Sequence, residues 1–140
     1  MPNPDLPRGA VITVAGSNSE FGSKPRPAIL LQSTALLDAA RPLPICPITS
    51  QASDAPLFRI QLPSDAETGL LVPSWAAIDG AQTIRRRRIG QHIGQIDRQT
   101  MLTIDRLLLV FLGLAGDDGG RATRRDSTGA FVKPTLRTTR

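Results

Sequence analysis

One histidine, one cysteine and seventeen Lys and Arg residues make up the reactive inventory of this 140-residue chain. His92 is the tempting candidate for an acid or base, but it stands between Ile89 and Ile93 in a stretch that reads as a strand. A lone histidine there is a structural residue, not an acid or base. Cys46 lies in the apolar run LPICPIT, which makes it a buried, inert thiol. A single cysteine excludes an intrachain disulfide and a cysteine-rich metal site. With no Cys/His or clustered-carboxylate spacing, no metal ligand set is expected, and any chemistry should run without a metal or other cofactor. The glycine-rich GLAGDDGG lacks both a preceding strand and a following Lys-Ser/Thr, so it is not a phosphate loop. The run Arg85-Arg86-Arg87-Arg88 suits a nucleic-acid backbone, each contact adding salt-dependent affinity. Strand alternation would leave about two of the four to solvent. Base-stacking candidates are few: Phe21, Phe58 and Trp75, in a chain without tyrosine.

These residues must be positioned by one modest domain. Hydrophobic residues make up 40% and charged residues 21%, a globular composition. The net charge of +5 and the pI near 10.9 point to an anionic partner. Much of that charge sits at one end: residues 117–140 hold six Arg/Lys against three Asp, a net +3, leaving +2 on the rest. The chain divides into a Pro-rich lead-in (1–8), a body with all the periodic apolar structure (9–116) and a polar, basic, disordered tail (117–140). In the body AVITVAG, PAILLQS, PLPICPIT, LFRIQL and GLLVPSWAAID read as short strands between Pro, Gly, Ser and Asp clusters, and RRRRIGQHIGQI as one more. Pro47 should fall at an edge or a bulge. A helix near residues 97–114 closes the body, with Asp97 as N-cap and Gly113 and Gly116 as stop. Its apolar residues exceed one face, so a second subunit is expected to cover it. No signal peptide is visible, and the longest apolar run, Leu107 to Leu112, is far below the ~20 residues of a membrane span. A cytoplasmic protein, off the membrane, is expected.

Three segments in order resemble the MazF/PemK family of mRNA interferases. Arg8-Gly9 precedes a strand, and GSKPRPAILL follows a loop. PLPICPITS is similar to the family's apolar strand ending in P-hydrophobic-T-S. AAIDGAQTIRRRRIGQHIG is similar to its strand ending in Asp-Gln, then R-T and a basic stretch. The resemblance spans roughly residues 8 to 115. It implies a small SH3-like β-barrel with a C-terminal helix, a homodimer, an endoribonuclease toxin cutting single-stranded RNA, and a cognate antitoxin protein that neutralises it.

The family's catalytic Arg matches Arg26, its Thr-Ser pair Thr49 and Ser50, and its strand-end Asp Asp79. In metal-free cleavage the substrate's 2′-hydroxyl attacks the adjacent phosphorus. A guanidinium suits the role of gripping phosphoryl oxygens, and Thr49 and Ser50 can donate hydroxyl hydrogen bonds. Asp79 either accepts the 2′-hydroxyl proton or orients Arg26. RNA contacts are expected from Glu20, Phe21, Lys24 and Arg85, Arg86, Arg87 and Arg88, with Phe21 the preferred stacking residue because its loop would flank the site. The chain departs from the family pattern at Ala77, where some members have an Arg two residues before the Asp, at Gly80 and at Gln82. Two other readings remain open here: a toxin of the same fold that poisons gyrase by binding it, and a catalytically inactive RNA-binding member.

Overall fold

The computed structural model describes residues 5–16, 24–36, 38, 40–51, 56–114, 124–125 and 131–132. The chain forms two units, Met1–Ile104 and Asp105–Arg140. No helix among the described residues is long and apolar enough to cross a membrane.

In the first unit seven short strands make one antiparallel sheet: β1 (Ala10–Val14), β2 (Arg26–Leu30), β3 (Leu43–Thr49), β4 (Arg59–Leu62), β5 (Ser74–Ala77), β6 (Gln82–Ile84) and β7 (Ile89–Gln95). The order across the sheet is β4-β5-β3-β2-β1-β7, with β6 also paired to β3. The central strands are apolar runs rather than alternating ones, and they are buried on both faces. Ala10, Ile12, Val14, Ala28, Leu30, Leu43, Ile45 and Ile84 form one core cluster. The intervening Val11, Ile29 and Cys46, which face one another across β1, β2 and β3, are buried as fully.

The mainly β class with a closing helix is as expected, but the closed barrel is not: β4 and β7, the two ends of the strand order, are not paired among the described residues. The gap is bridged by the β4–β5 connection. The Gln95 N–H donates to the Glu67 carbonyl at 2.8 Å. Gly69, at φ +72°, backs onto the Ile93 carbonyl, and Gly94 backs onto the Thr68 backbone. This connection is held in shape by buried Thr68. Its hydroxyl donates to the Pro63 carbonyl and accepts from the Asp65 and Leu70 N–H groups, while the Asp65 carboxylate accepts the Thr68 N–H. Loop backbone therefore takes the place a strand ladder would hold.

Two expected strands are interrupted. The run 85–96 is a strand only from Ile89, because Arg86–Arg88 forms a 3-10 turn. The run 69–79 supplies β5, then a second 3-10 turn, Ile78–Gly80, leading to β6. Ile45 pairs with Leu30 on one side and Gln82 on the other, and β5 lies along that second edge. From Ile45 to Ile48 is three steps on β3, whereas their partners Gln82 and Ala76 are six apart. The turn is thus a bulge in one broken strand. Pro47, with no N–H to offer a ladder, falls opposite that break, and the Gly80 Cβ position lies 3.4 Å from its ring.

Helix α1 (Arg98–Phe111) starts in the first unit, where Met101 and Ile104 are buried. Asp97 caps it: its carboxylate accepts the Thr100 hydroxyl at 2.6 Å and the Thr100 N–H at 3.0 Å. Those bonds hold the Asp97 carboxyl below its ordinary pKa. In the second unit the helix ends in a Schellman arrangement. Gly113 adopts φ +78°, with Gly113 N–H to the Val110 carbonyl and Leu114 N–H to the Leu109 carbonyl. Within the expected tail, β8 (Arg124–Arg125) and β9 (Phe131–Val132) pair antiparallel. The rest of 117–140 lies outside the described residues.

A Gly94→Ala substitution drives a methyl group into the Thr68 backbone and should destabilise the fold by about 2–3 kcal/mol. Urea denaturation checks this, and unchanged stability would remove the β7–loop bridge as a structural element.

Candidate active site

A cleft of about 1130 Å³ opens at one end of the sheet. It is lined by the end of β1 with Ala15 and Gly16, the start of β2 at Arg26, the end of β3 through Thr49, Ser50 and Gln51, and Leu70 to Val72 from the bridging connection. Ser74, Gln82, Ile84, Arg88 and Ile93 also line it. The cleft therefore brings Arg26, Thr49 and Ser50 together from β2 and β3.

The strand pairing explains how. Ala28 faces Pro47, Ile29 faces Cys46 and Leu30 faces Ile45. Continued for two residues, this register sets Arg26 opposite Thr49. Residues opposed on antiparallel strands project from the same face. Arg26 is exposed, and among the described residues its guanidinium has no hydrogen-bond or ion-pair partner. The half-buried Thr49 accepts the Gln51 N–H at 3.1 Å, a turn that leaves its hydroxyl proton to donate. Ser50 is exposed beside it.

The four arginines separate into two pairs. Arg85 and Arg87 are exposed. Arg86 donates to the carbonyls of Thr34 and Asp38 at 3.3 and 3.2 Å. Arg88 clamps the Ala15 carbonyl at 3.0 Å through Nε and 2.7 Å through Nη2, while the Ala15 N–H donates to the Arg88 carbonyl. Arg88 thus positions the end of β1 beside Arg26. The expected half-and-half division holds, but a 3-10 turn, not strand alternation, produces it. No Asp or Glu lines the cleft among the described residues, so its fixed charge is that of two guanidinium groups.

Asp79 is not in the cleft wall. It sits on the 3-10 bulge, its Oδ1 3.5 Å from Arg59 Nε. That nitrogen is buried without a hydrogen bond, so the attraction is one of charge alone. Arg59 lies on β4 directly opposite Ala77. The guanidinium beside Asp79 therefore comes from a neighbouring strand, not from two residues upstream. Sequence reading missed Arg59 because only pairing of β4 with β5 makes it a neighbour. His92 is exposed on β7 and Lys24 is exposed two residues before Arg26; neither lines the cleft. Glu20 and Phe21 lie outside the described residues. Among the described residues no three His, Cys, Asp or Glu side chains cluster to hold a metal.

The family model for PemK-like, MazF-like toxins of type II toxin–antitoxin systems matches residues 7–112. A curated relative, the probable endoribonuclease MazF of Mycolicibacterium smegmatis, is 37% identical over 109 residues, covering 78% of this chain and 98% of the relative. Among solved structures, MazE–MazF from Deinococcus radiodurans aligns at TM-score 0.64 and 21% identity, over 78% of this chain and 97% of that one. A mycobacterial endoribonuclease in complex with its cognate antitoxin aligns at 0.59 and 21%, over 78% and 96%. At such identity the two structures speak for the fold.

Behind the site, Cys46 is fully buried, as expected. Burial pushes its thiol up to about 12, Asp79 adds to the shift, and the Ala77 backbone and Arg59 oppose it. The folded thiol holds its proton where the unfolded one, at 9.0, does not. Its contribution to stability is whole below pH 9.0 and lost as pH rises towards about 12. Wild-type stability should fall more steeply over that window than that of Cys46→Ala, as thermal melts would show. Identical slopes would contradict a buried neutral thiol.

Proposed function

We propose that this chain, which belongs to the PemK/MazF family of toxins of type II toxin–antitoxin systems, cuts single-stranded RNA in its cleft without a metal ion. The chain is an endoribonuclease toxin, and the proposal concerns how it acts and with what partners. The observation that carries it is a cleft holding Arg26, Thr49, Ser50 and Arg88 with no carboxylate on its described wall. Such a site attracts an anion, and a phosphodiester fits the planar donor fork of Arg26.

In this mechanism the 2′-hydroxyl gives its proton to solvent water and attacks the adjacent phosphorus, the bond to the 5′-oxygen breaks, and that oxygen takes a proton from water, leaving a 2′,3′-cyclic phosphate and a 5′-hydroxyl. Arg26 neutralises the charge growing on the phosphoryl oxygens, and the Thr49 and Ser50 hydroxyls donate to them. Arg88, committed to the Ala15 carbonyl, keeps the β1 end in place. Asp79, charge-paired with Arg59 outside the cleft, is assigned a positioning role rather than that of base. Lys24, Arg85 and Arg87 are free at the surface to meet flanking phosphates.

The partners follow from the same family. A cognate antitoxin protein binds the toxin and blocks the cleft. A homodimer is proposed because Leu102, Leu109 and Leu112 of the helix region remain 41%, 43% and 62% exposed in the single chain. Light scattering on micromolar protein should return twice the 15.0 kDa chain mass; a monomer would refute the dimer.

Arg26→Ala should lose about 3 kcal/mol of transition-state stabilisation, roughly a hundredfold in rate. Gel analysis of a long single-stranded RNA, in the presence of EDTA, measures it. His92→Ala should cut at the wild-type rate. Full cleavage by Arg26→Ala, or loss of wild-type cleavage in EDTA, would overturn the site or the metal-free chemistry respectively.

A further inference from the structure

The strand registers place five residues in one row across the sheet. Val14 faces Arg26 between β1 and β2, Thr49 faces Trp75 between β3 and β5, and Trp75 faces Gln61 between β5 and β4. Continued two residues past its last pair, Ala28 with Pro47, the β2–β3 register brings Arg26 into line with Thr49. The row therefore reads Val14, Arg26, Thr49, Trp75, Gln61 on a single face. Arg26 and Thr49 line the cleft, and Trp75, outside its wall, follows Thr49 in the row. Two inter-strand spacings, about 10 Å, separate Trp75 from Arg26.

Trp75 is half-buried, and its indole N–H has no hydrogen-bond partner among the described residues. An indole is a donor only, and one with its N–H free and part of its ring uncovered is suited to bind. Its neighbours in the row, Thr49 and Gln61, are polar. In a chain with 4% aromatic residues and no tyrosine, few side chains offer a large flat surface.

We propose that Trp75 is the platform on which a base of single-stranded RNA stacks, next to the phosphate held by Arg26 and Thr49. This rests on the reading of the cleft given above and extends it across the sheet. The RNA runs transverse to the strands, phosphate at β2 and β3, base at β5, with Gln61 on β4 as the next polar contact. Stacking tolerates any base but favours those with larger faces, so Trp75 sets a base preference without taking part in bond cleavage.

Trp75 is the single tryptophan of the chain, so its emission reports on this position alone. A fluorescently labelled, 2′-O-methylated oligoribonucleotide of random sequence, which cannot be cut, is titrated into the wild-type protein. Trp75 quenching should saturate in step with the rise in oligonucleotide anisotropy. Binding by anisotropy with unchanged Trp75 emission would overturn the platform and leave the cleft reading intact. No binding at all would overturn both. In parallel, Trp75→Leu, verified as folded by circular dichroism, should raise KM on the order of tenfold with kcat held, and Trp75→Phe should recover most of the loss. Arg26→Ala, by contrast, lowers kcat. A folded Trp75→Leu protein with wild-type KM and wild-type base preference would refute the assignment.

Discussion

The pairing register of β2 and β3 is the constraint on which the site depends. Side chains alternate between faces with a period of two, so a slip of one residue would turn Arg26 away from Thr49 and carry the buried apolar set to the wrong side. The register is held by residues with no part in chemistry. Ala28, Ile29, Leu30, Ile45 and Cys46 are all buried, with Pro47 half-buried at its end. Since both faces of these strands are packed, no alternative register hides as much apolar surface. The geometry of the proposed site is thus a consequence of core packing two residues away.

A second consequence of β3 is the bulge at Ile78–Gly80. Pro47 cannot complete a ladder, and the partner strand breaks opposite it. The break lifts Asp79 out of the sheet and towards Arg59, while Ile78 stays buried. Beneath the pair lies Cys46, whose thiol registers both charges, raised by Asp79 and lowered by Arg59. One proline, one bulge and one cross-strand ion pair are therefore a single arrangement. It supplies a guanidinium next to Asp79 even though Ala77 occupies the position two residues before it.

The same economy governs the basic run. Four consecutive arginines suggest a uniform phosphate track, yet the 3-10 turn gives them separate tasks. Arg86 fastens the Thr34–Asp38 segment, Arg88 fastens Ala15, and Arg85 and Arg87 face solvent. A guanidinium has donors enough to satisfy backbone carbonyls that the strand edges leave open. Part of the formal charge is thereby structural, and the number of arginines overstates the number of phosphates that can be met.

The sequence by itself determined the elements whose signals are local. Asp97 marked the helix start, Gly113 marked its end, and the apolar runs marked the strands of the body, because capping, left-handed turns and burial act over a few residues. The order of Arg8-Gly9, the Arg-Pro pair, the Thr-Ser pair and Asp79 was enough to name the family. What joins distant segments was decided only by tertiary structure. The bridge from Glu67–Gly69 to β7, the pairing of Arg59 with Asp79 and the row that continues from Thr49 to Trp75 each bring together residues from separate stretches of chain. Their partners are fixed by register and twist, which depend on how the whole core packs, and a linear pattern carries the face of a residue but not its neighbour across the sheet.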